Sequence, residues 1–254
     1  MMSEDEETIE VTLTVQHGLG LLEIVQGDED CALLIDGMPV AMVWDAALES
    51  PTNYFVRAYD SEPLGEHLAR HAPLEIPDPN DVEAVFDGAL RPLLHALANG
   101  DYRVLLESSL GLTVPEQRDS KHDSAWRFMA WAGLHETPAD GGLLLGTRPR
   151  ELLSPERIAD FEQHIRSGAR PPVVLLGSTR TPVAFIVDGH HKLEAYRSMG
   201  VPPAAIVILA ETPRQISIEE GCTLLEEAYK RCGDIASAHY RAVRSVDRRR
   251  TVAS

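Results

Sequence analysis

Residues 188–192 read Asp-Gly-His-His-Lys. A carboxylate, two imidazoles and an ammonium group within one short stretch can hold an anion, bind a metal or move a proton. Two neighbouring histidines on a turn rarely point at one ion, and no third ligand is evident, so a metal centre built on the pair is the weaker reading. The flanks favour an anion. Residues 183–187 are an apolar run, and after the histidines Leu193, Ala195, Tyr196 and Met199 recur at helical spacing until Gly200, Pro202 and Pro203 stop the helix. A buried strand turning through glycine straight into a helix aims backbone N–H groups at one point. With His190, His191 and Lys192 on the first turn, that point suits an anion, most naturally a phosphate.

The elements that must carry this corner follow from periodicity. Residues 9–15 alternate as a half-buried strand and 21–25 form another. Residues 31–35 and 40–44 flank Asp36-Gly37, a hairpin signal. Residues 53–59 are a further strand, 64–71 a short helix, and 81–97 a longer helix stopped by Asn99-Gly100; 102–106 return to strand. Residues 125–134, rich in aromatics (Trp126, Phe128, Trp131), are expected as a short helix docked on one of the domains. Strand character resumes at 143–145. Ser154 caps a helix with Pro155 at its first position, and that helix runs to residue 167 before Gly168. A hairpin (173–176 and 183–187, with a turn at 177–181) leads into the histidine helix. A strand at 205–209 and two amphipathic helices, at 217–232 and 234–246, complete the expectation.

Composition narrows the function classes. The 254 residues are 44% hydrophobic and 25% charged, as in a water-soluble folded chain. No apolar run approaches the ~18 residues of a membrane helix. The acidic start has neither the basic lead nor the apolar core of a signal peptide. Cys31, Cys222 and Cys232 are odd in number and far apart, which is neither a disulfide framework nor a zinc site, so a cytoplasmic location is expected. The net charge of −17 is unevenly shared. Residues 1–141 hold 7 Lys+Arg against 27 Asp+Glu, and residues 142–254 hold 16 against 13. The acidic part repels nucleic acid and is instead suited to a solvated surface or a basic protein partner. The asymmetry suggests two units: an acidic lead (1–7), an acidic α+β domain with its own core (8–112), a connector (113–142), and an α+β domain with C-terminal helices and a basic tail (143–254). The scattered His17, His67, His71 and His95 are read as surface or helix-face residues.

The order of elements and letters over residues 143–211 resembles the ParB/sulfiredoxin-like superfamily. The resemblance is carried by Leu152-Leu153-Ser154-Pro155-Glu156-Arg157-Ile158, Pro171-Pro172-Val173-Val174-Leu175, Val187-Asp188-Gly189-His190-His191-Lys192-Leu193-Glu194-Ala195, and Gly200-Val201-Pro202. Its Asp-Gly-His-His box is similar to the small-molecule branch that includes free-serine kinases. The DNA-segregation branch usually carries a Gly-Glu-Arg-Arg type box, and sulfiredoxin has a catalytic cysteine at this place, which the chain lacks. No helix-turn-helix pattern follows the box either.

As the resemblance implies, ATP or ADP with Mg2+ sits at the corner. Asp188 contacts metal or substrate, Gly189 lets the backbone approach a phosphate, and His190, His191 and Lys192 hold its oxygens. Lys192 departs from the arginine more usual there, keeping charge but losing bidentate geometry. Asp188 and His191 would be essential to turnover. Glu151, with Glu156 as alternative, is comparable to the kinases' general base, which takes a proton from the acceptor hydroxyl. The expected activity is nucleotide-dependent phosphoryl transfer to the hydroxyl of a small metabolite. The alternative is a non-catalytic nucleotide-binding regulatory or protein-interaction module, its acidic domain engaging a protein. A nuclease is disfavoured by the charge and by the absence of clustered carboxylates.

Overall fold

The computed structural model describes residues 9–27, 31–44, 53–56, 90–110, 112–113, 128–131, 142–147 and 153–232. Within them run β1 (Ile9–Val15), β2 (Leu22–Gln26), β3 (Cys31–Ile35), β4 (Met38–Trp44), β5 (Asn53–Val56), α1 (Arg91–Ala96), β6 (Gly100–Glu107), β7 (Leu112–Thr113), β8 (Phe128–Trp131) and β9 (Gly142–Gly146). They continue as α2 (Pro155–Arg166), β10 (Val173–Ser178), β11 (Thr181–Asp188), α3 (His190–Met199), β12 (Ala205–Ala210), β13 (Arg214–Gln215) and α4 (Ile218–Cys232). The result is a mixed α+β protein with two sheets and, among the described residues, four helices.

The apolar runs that punctuate the sequence become strands buried on both faces, as continuous rather than alternating hydrophobicity demands. In the eight-stranded sheet, ordered β1-β6-β12-β10-β11-β9-β8-β7, alternate residues serve two cores. Val174, Leu176, Val183, Phe185, Ile206 and Ile208 face the second sheet, ordered β13-β2-β3-β4-β5, and pack with Leu22, Leu33 and Val40. Val173, Leu175, Ala184, Ile186, Val207 and Leu209 lie in the other core with Leu193 of α3. The helices α2 and α3 pack together through Ile165, Ala195 and Tyr196, with Ile158 and Phe161 alongside. Both are crossovers that skip a strand: α2 leads from β9 past β11 to β10, and α3 leads from β11 past β10 to β12.

The turn between β3 and β4 has Asp36 and Gly37 both at positive φ, 53° and 70°, which is the backbone the Asp-Gly pair favours in a two-residue hairpin. The turn expected over 177–181 is tighter than the letters suggest, since β10 continues through Ser178 and β11 restarts at Thr181.

Three expectations are corrected. The stretch 8–112 does not keep a core of its own. Its strand β6 pairs antiparallel with β12 from Ala205↔Glu107 to Ala210↔Tyr102, and its Leu22, Leu33, Leu97 and Val104 share one core with Val174, Phe185 and Ile206. The aromatic stretch expected as a helix over 125–134 contains a strand instead, β8, paired antiparallel to β9 with Phe128 opposite Leu145. Aromatic residues serve a strand as readily as a helix face, and an available sheet edge decides. In the described end of the helix expected over 81–97, α1 stops at Ala96 because Leu97 turns extended (ψ 160°) and bridges Leu22. The expected helices at 64–71 and 234–246, the lead at 1–7 and the basic tail lie outside the described residues. No described helix is long and apolar enough to cross a membrane.

Candidate functional site

The corner forms where the sequence places it. Strand β11 ends at Asp188, Gly189 takes φ +96° as the N-cap of α3, and the Leu193 N–H donates to the Gly189 carbonyl at 2.8 Å to start the helix. Only glycine suits the position. A Cβ there would meet Val173 Cα at 3.1 Å and Lys192 Cδ at 3.3 Å, in a backbone region that other residues avoid. Glycine also brings no side chain to cap the helix start, so the first turn is held from elsewhere.

Three consecutive side chains do that holding. His190 Nε2 accepts the N–H of Thr147 at 3.0 Å, just past β9, and the Thr147 hydroxyl donates to the Ile186 carbonyl at 2.8 Å. His191 Nε2 accepts the N–H of Ser154 at 3.1 Å, at the N-cap of α2. Lys192 Nζ donates to the Pro172 carbonyl at 3.0 Å and to Asp188 Oδ2 at 2.8 Å. Its side chain is 8% exposed, against 45% for Asp188, and it lies 6.0 Å from the Phe161 ring centroid. Lys192 is thus an internal cation, with Asp188 as its counter-ion.

This geometry alters several expected roles. The structure brings Asp188, Gly189, His190, His191 and Lys192 together. It commits the Lys192 ammonium to Asp188 and Pro172, and Nε2 of both imidazoles to main-chain amides. Glu151 lies outside the described residues. The alternative base, Glu156, accepts the Ser154 hydroxyl at 2.6 Å, and this bond, followed by its own backbone N–H, holds its carboxyl below the usual range. A carboxylate so stabilised is a weaker proton acceptor. Among the described residues no cluster of three or more His, Cys, Asp or Glu could hold a metal. Magnesium asks little of a protein, commonly one or two carboxylates with phosphates and water completing the shell. Asp188 fits that limited role, through the carboxylate it shares with Lys192.

Sequence reasoning missed Thr147 and the Pro172 carbonyl, and it saw Ser154 only as a helix cap. Nothing in the spacing of Thr147 reveals it, because its contacts are 39 and 43 positions away. The chain matches no family model, no curated protein and no solved structure. The class that the fold defines is mixed α+β; anything more particular rests on the corner and its motif.

Proposed function

We propose that the protein binds a nucleoside phosphate, ATP or ADP with Mg2+, at the corner formed by Asp188, Gly189 and the start of α3, and transfers a phosphoryl group to the hydroxyl of a small metabolite. The observation that carries this reading is the left-handed Gly189 at the N-terminus of a ten-residue helix, next to a carboxylate that is 45% exposed. Backbone N–H groups at a helix start attract phosphate oxygens. Gly189 itself is buried, and the side where a Cβ would stand faces Val173 and Lys192, so the approach would be to the amides of the helix start beside Asp188. When bound, magnesium would neutralise charge on the transferred group. Asp188 would offer it a carboxylate oxygen, Lys192 would hold that carboxylate in place, and Glu151 would take the hydroxyl proton. The likeness of the Asp-Gly-His-His box to free-serine kinases supports the choice of acceptor class.

One observation favours the non-catalytic alternative. Lys192 and both Nε2 atoms, assigned to phosphate by the motif, are engaged with the protein itself. A nucleotide held mainly by main-chain amides would suit a sensor as well as a kinase.

Thermal unfolding with magnesium and ATP, ADP, CTP or GTP in turn tests the binding. A ligand at a hundredfold excess over Kd adds about 2.7 kcal/mol of stability, which a melting curve resolves. The expected result is a selective rise in Tm. Absence of a shift with all four nucleotides rejects the site. Where one binds, consumption of that nucleotide on addition of small hydroxyl compounds separates a kinase from a sensor.

A further inference from the structure

The first turn of α3 fastens three separate stretches of main chain: the end of β9 through His190, the start of α2 through His191, and the approach to β10 through Lys192. The amides of Thr147 and Ser154 can only donate. Each amide N–H is aimed at Nε2 of its imidazole, so that nitrogen accepts, which places the single ring proton on Nδ1 and leaves the ring neutral. At His190 the Thr147 hydroxyl oxygen also lies 3.3 Å from Nε2, a contact whose direction the ring tautomer sets. A neutral ring bound in this way brings no positive charge to an anion. It does set where the main chain on either side of residues 148–152 begins and ends.

We infer that His190 and His191 are positioning residues: they clasp the two ends of the β9–α2 connection, at Thr147 and Ser154, onto the start of α3. They support a bound phosphate through the backbone they hold, not by charge. The ligand half of this inference rests on the nucleotide reading above, whereas the clasp itself does not. Three features join to carry it. The two histidines are adjacent, their amide partners lie 43 and 37 positions away in sequence, and those partners bracket one connection, which also contains Glu151. Thr147 is tied a second time, by its hydroxyl to Ile186 in β11, so the clasp is anchored to the strand that leads into the corner.

Glutamine and asparagine separate position from charge. A glutamine side chain can put an acceptor oxygen where Nε2 stands, and asparagine reaches only as far as Nδ1. In the full chain, His190→Gln and His191→Gln are compared with His190→Asn and His191→Asn by amide hydrogen exchange and by nitrogen chemical shifts of the histidine rings. The wild-type rings are expected to show the Nδ1–H form. The Thr147 amide is expected to exchange roughly tenfold faster in His190→Asn, as is the Ser154 amide in His191→Asn, with much of the protection restored in the glutamine variants. Should His191→Asn fail to fold, the half-buried His190 pair still decides.

The Tm rise with Mg-ATP supplies the second readout. It should shrink in the asparagine variants and recover in large part with glutamine. Rings protonated on Nε2, or amides equally protected in all variants, overturn the clasp. If glutamine abolishes the Mg-ATP response while the amides stay protected, the rings act on the ligand directly and the positioning role is wrong. If wild type itself shows no response to any nucleotide, the functional proposal falls, and the exchange and ring data still decide the clasp.

Discussion

Lys192 shows how one residue changes meaning between a sequence and a fold. By its place in the motif it is expected to hold phosphate; in the structure it is a buried cation satisfied by Asp188 and the Pro172 carbonyl. Removing the counter-ion strands a charge away from water, which costs more than the ion pair contributes. Asp188→Asn is therefore expected to lower stability by about 2 kcal/mol, as well as any turnover, and urea unfolding checks it. Loss of activity in that variant has meaning only beside its stability. Tyr102 offers a prediction about pH. Burial first, and the Glu23 charge second, raise its phenol from 10.0 to about 12, and its hydroxyl donates to the Ala98 carbonyl at 2.8 Å. The folded state thus favours the neutral phenol. The resulting stability is whole below pH 10 and is lost as pH climbs through about 12, because the unfolded chain releases that proton first. Unfolding free energies between pH 9 and 12 should fall more steeply, by about 2–3 kcal/mol, in wild type than in Tyr102→Phe.

At the scale of elements, helix starts carry the site. Ser154 caps α2 by accepting the Arg157 N–H at 3.3 Å, and its hydroxyl also depresses the Glu156 carboxyl. Ser154→Ala should cost about 1 kcal/mol and let the Glu156 carboxyl titrate at higher pH, which NMR titration of that side chain would reveal. A second hydroxyl ties the two helices. Ser198 of α3 lies 2.5 Å from Glu162 of α2, and this contact, ahead of Arg166, keeps the Glu162 carboxyl low. At the start of α3, Gly189→Ala must adopt a left-handed backbone and push against Val173. The expected loss is about 2 kcal/mol in a denaturant midpoint, with the corner distorted even where the fold survives.

At the scale of the molecule, the large sheet joins what composition divides. Charge separates residues 1–141 from 142–254, yet β6 lies against β12, and the core between the sheets takes residues from both parts. A fragment of residues 143–254 alone would expose Val174, Leu176, Phe185 and Ile206, so it should show no cooperative unfolding transition by calorimetry. A sharp transition near that of the full chain would contradict the shared core. Most of the strands, though not the two-residue β7 and β13, the hairpin turn at Asp36-Gly37, the capped helix α2 and the Asp-Gly-His-His corner were legible in the letters because each depends on neighbours a few positions away: apolar runs, a turn pair, a serine before proline, a glycine ahead of a helix. The aromatic stretch misread as helix depended instead on the sheet edge presented by β9. The joining of the two parts depended on a pairing across about a hundred positions, Tyr102 to Ala210. The bonds of His190, His191 and Lys192 depended on where distant amides and a carbonyl come to rest. The sequence by itself brought residues 188–192 together at the corner, because they are neighbours on one strand-to-helix turn. The tertiary structure alone decided what they hold, because hydrogen-bond partners are chosen by packing across the whole chain and leave no local spacing to read.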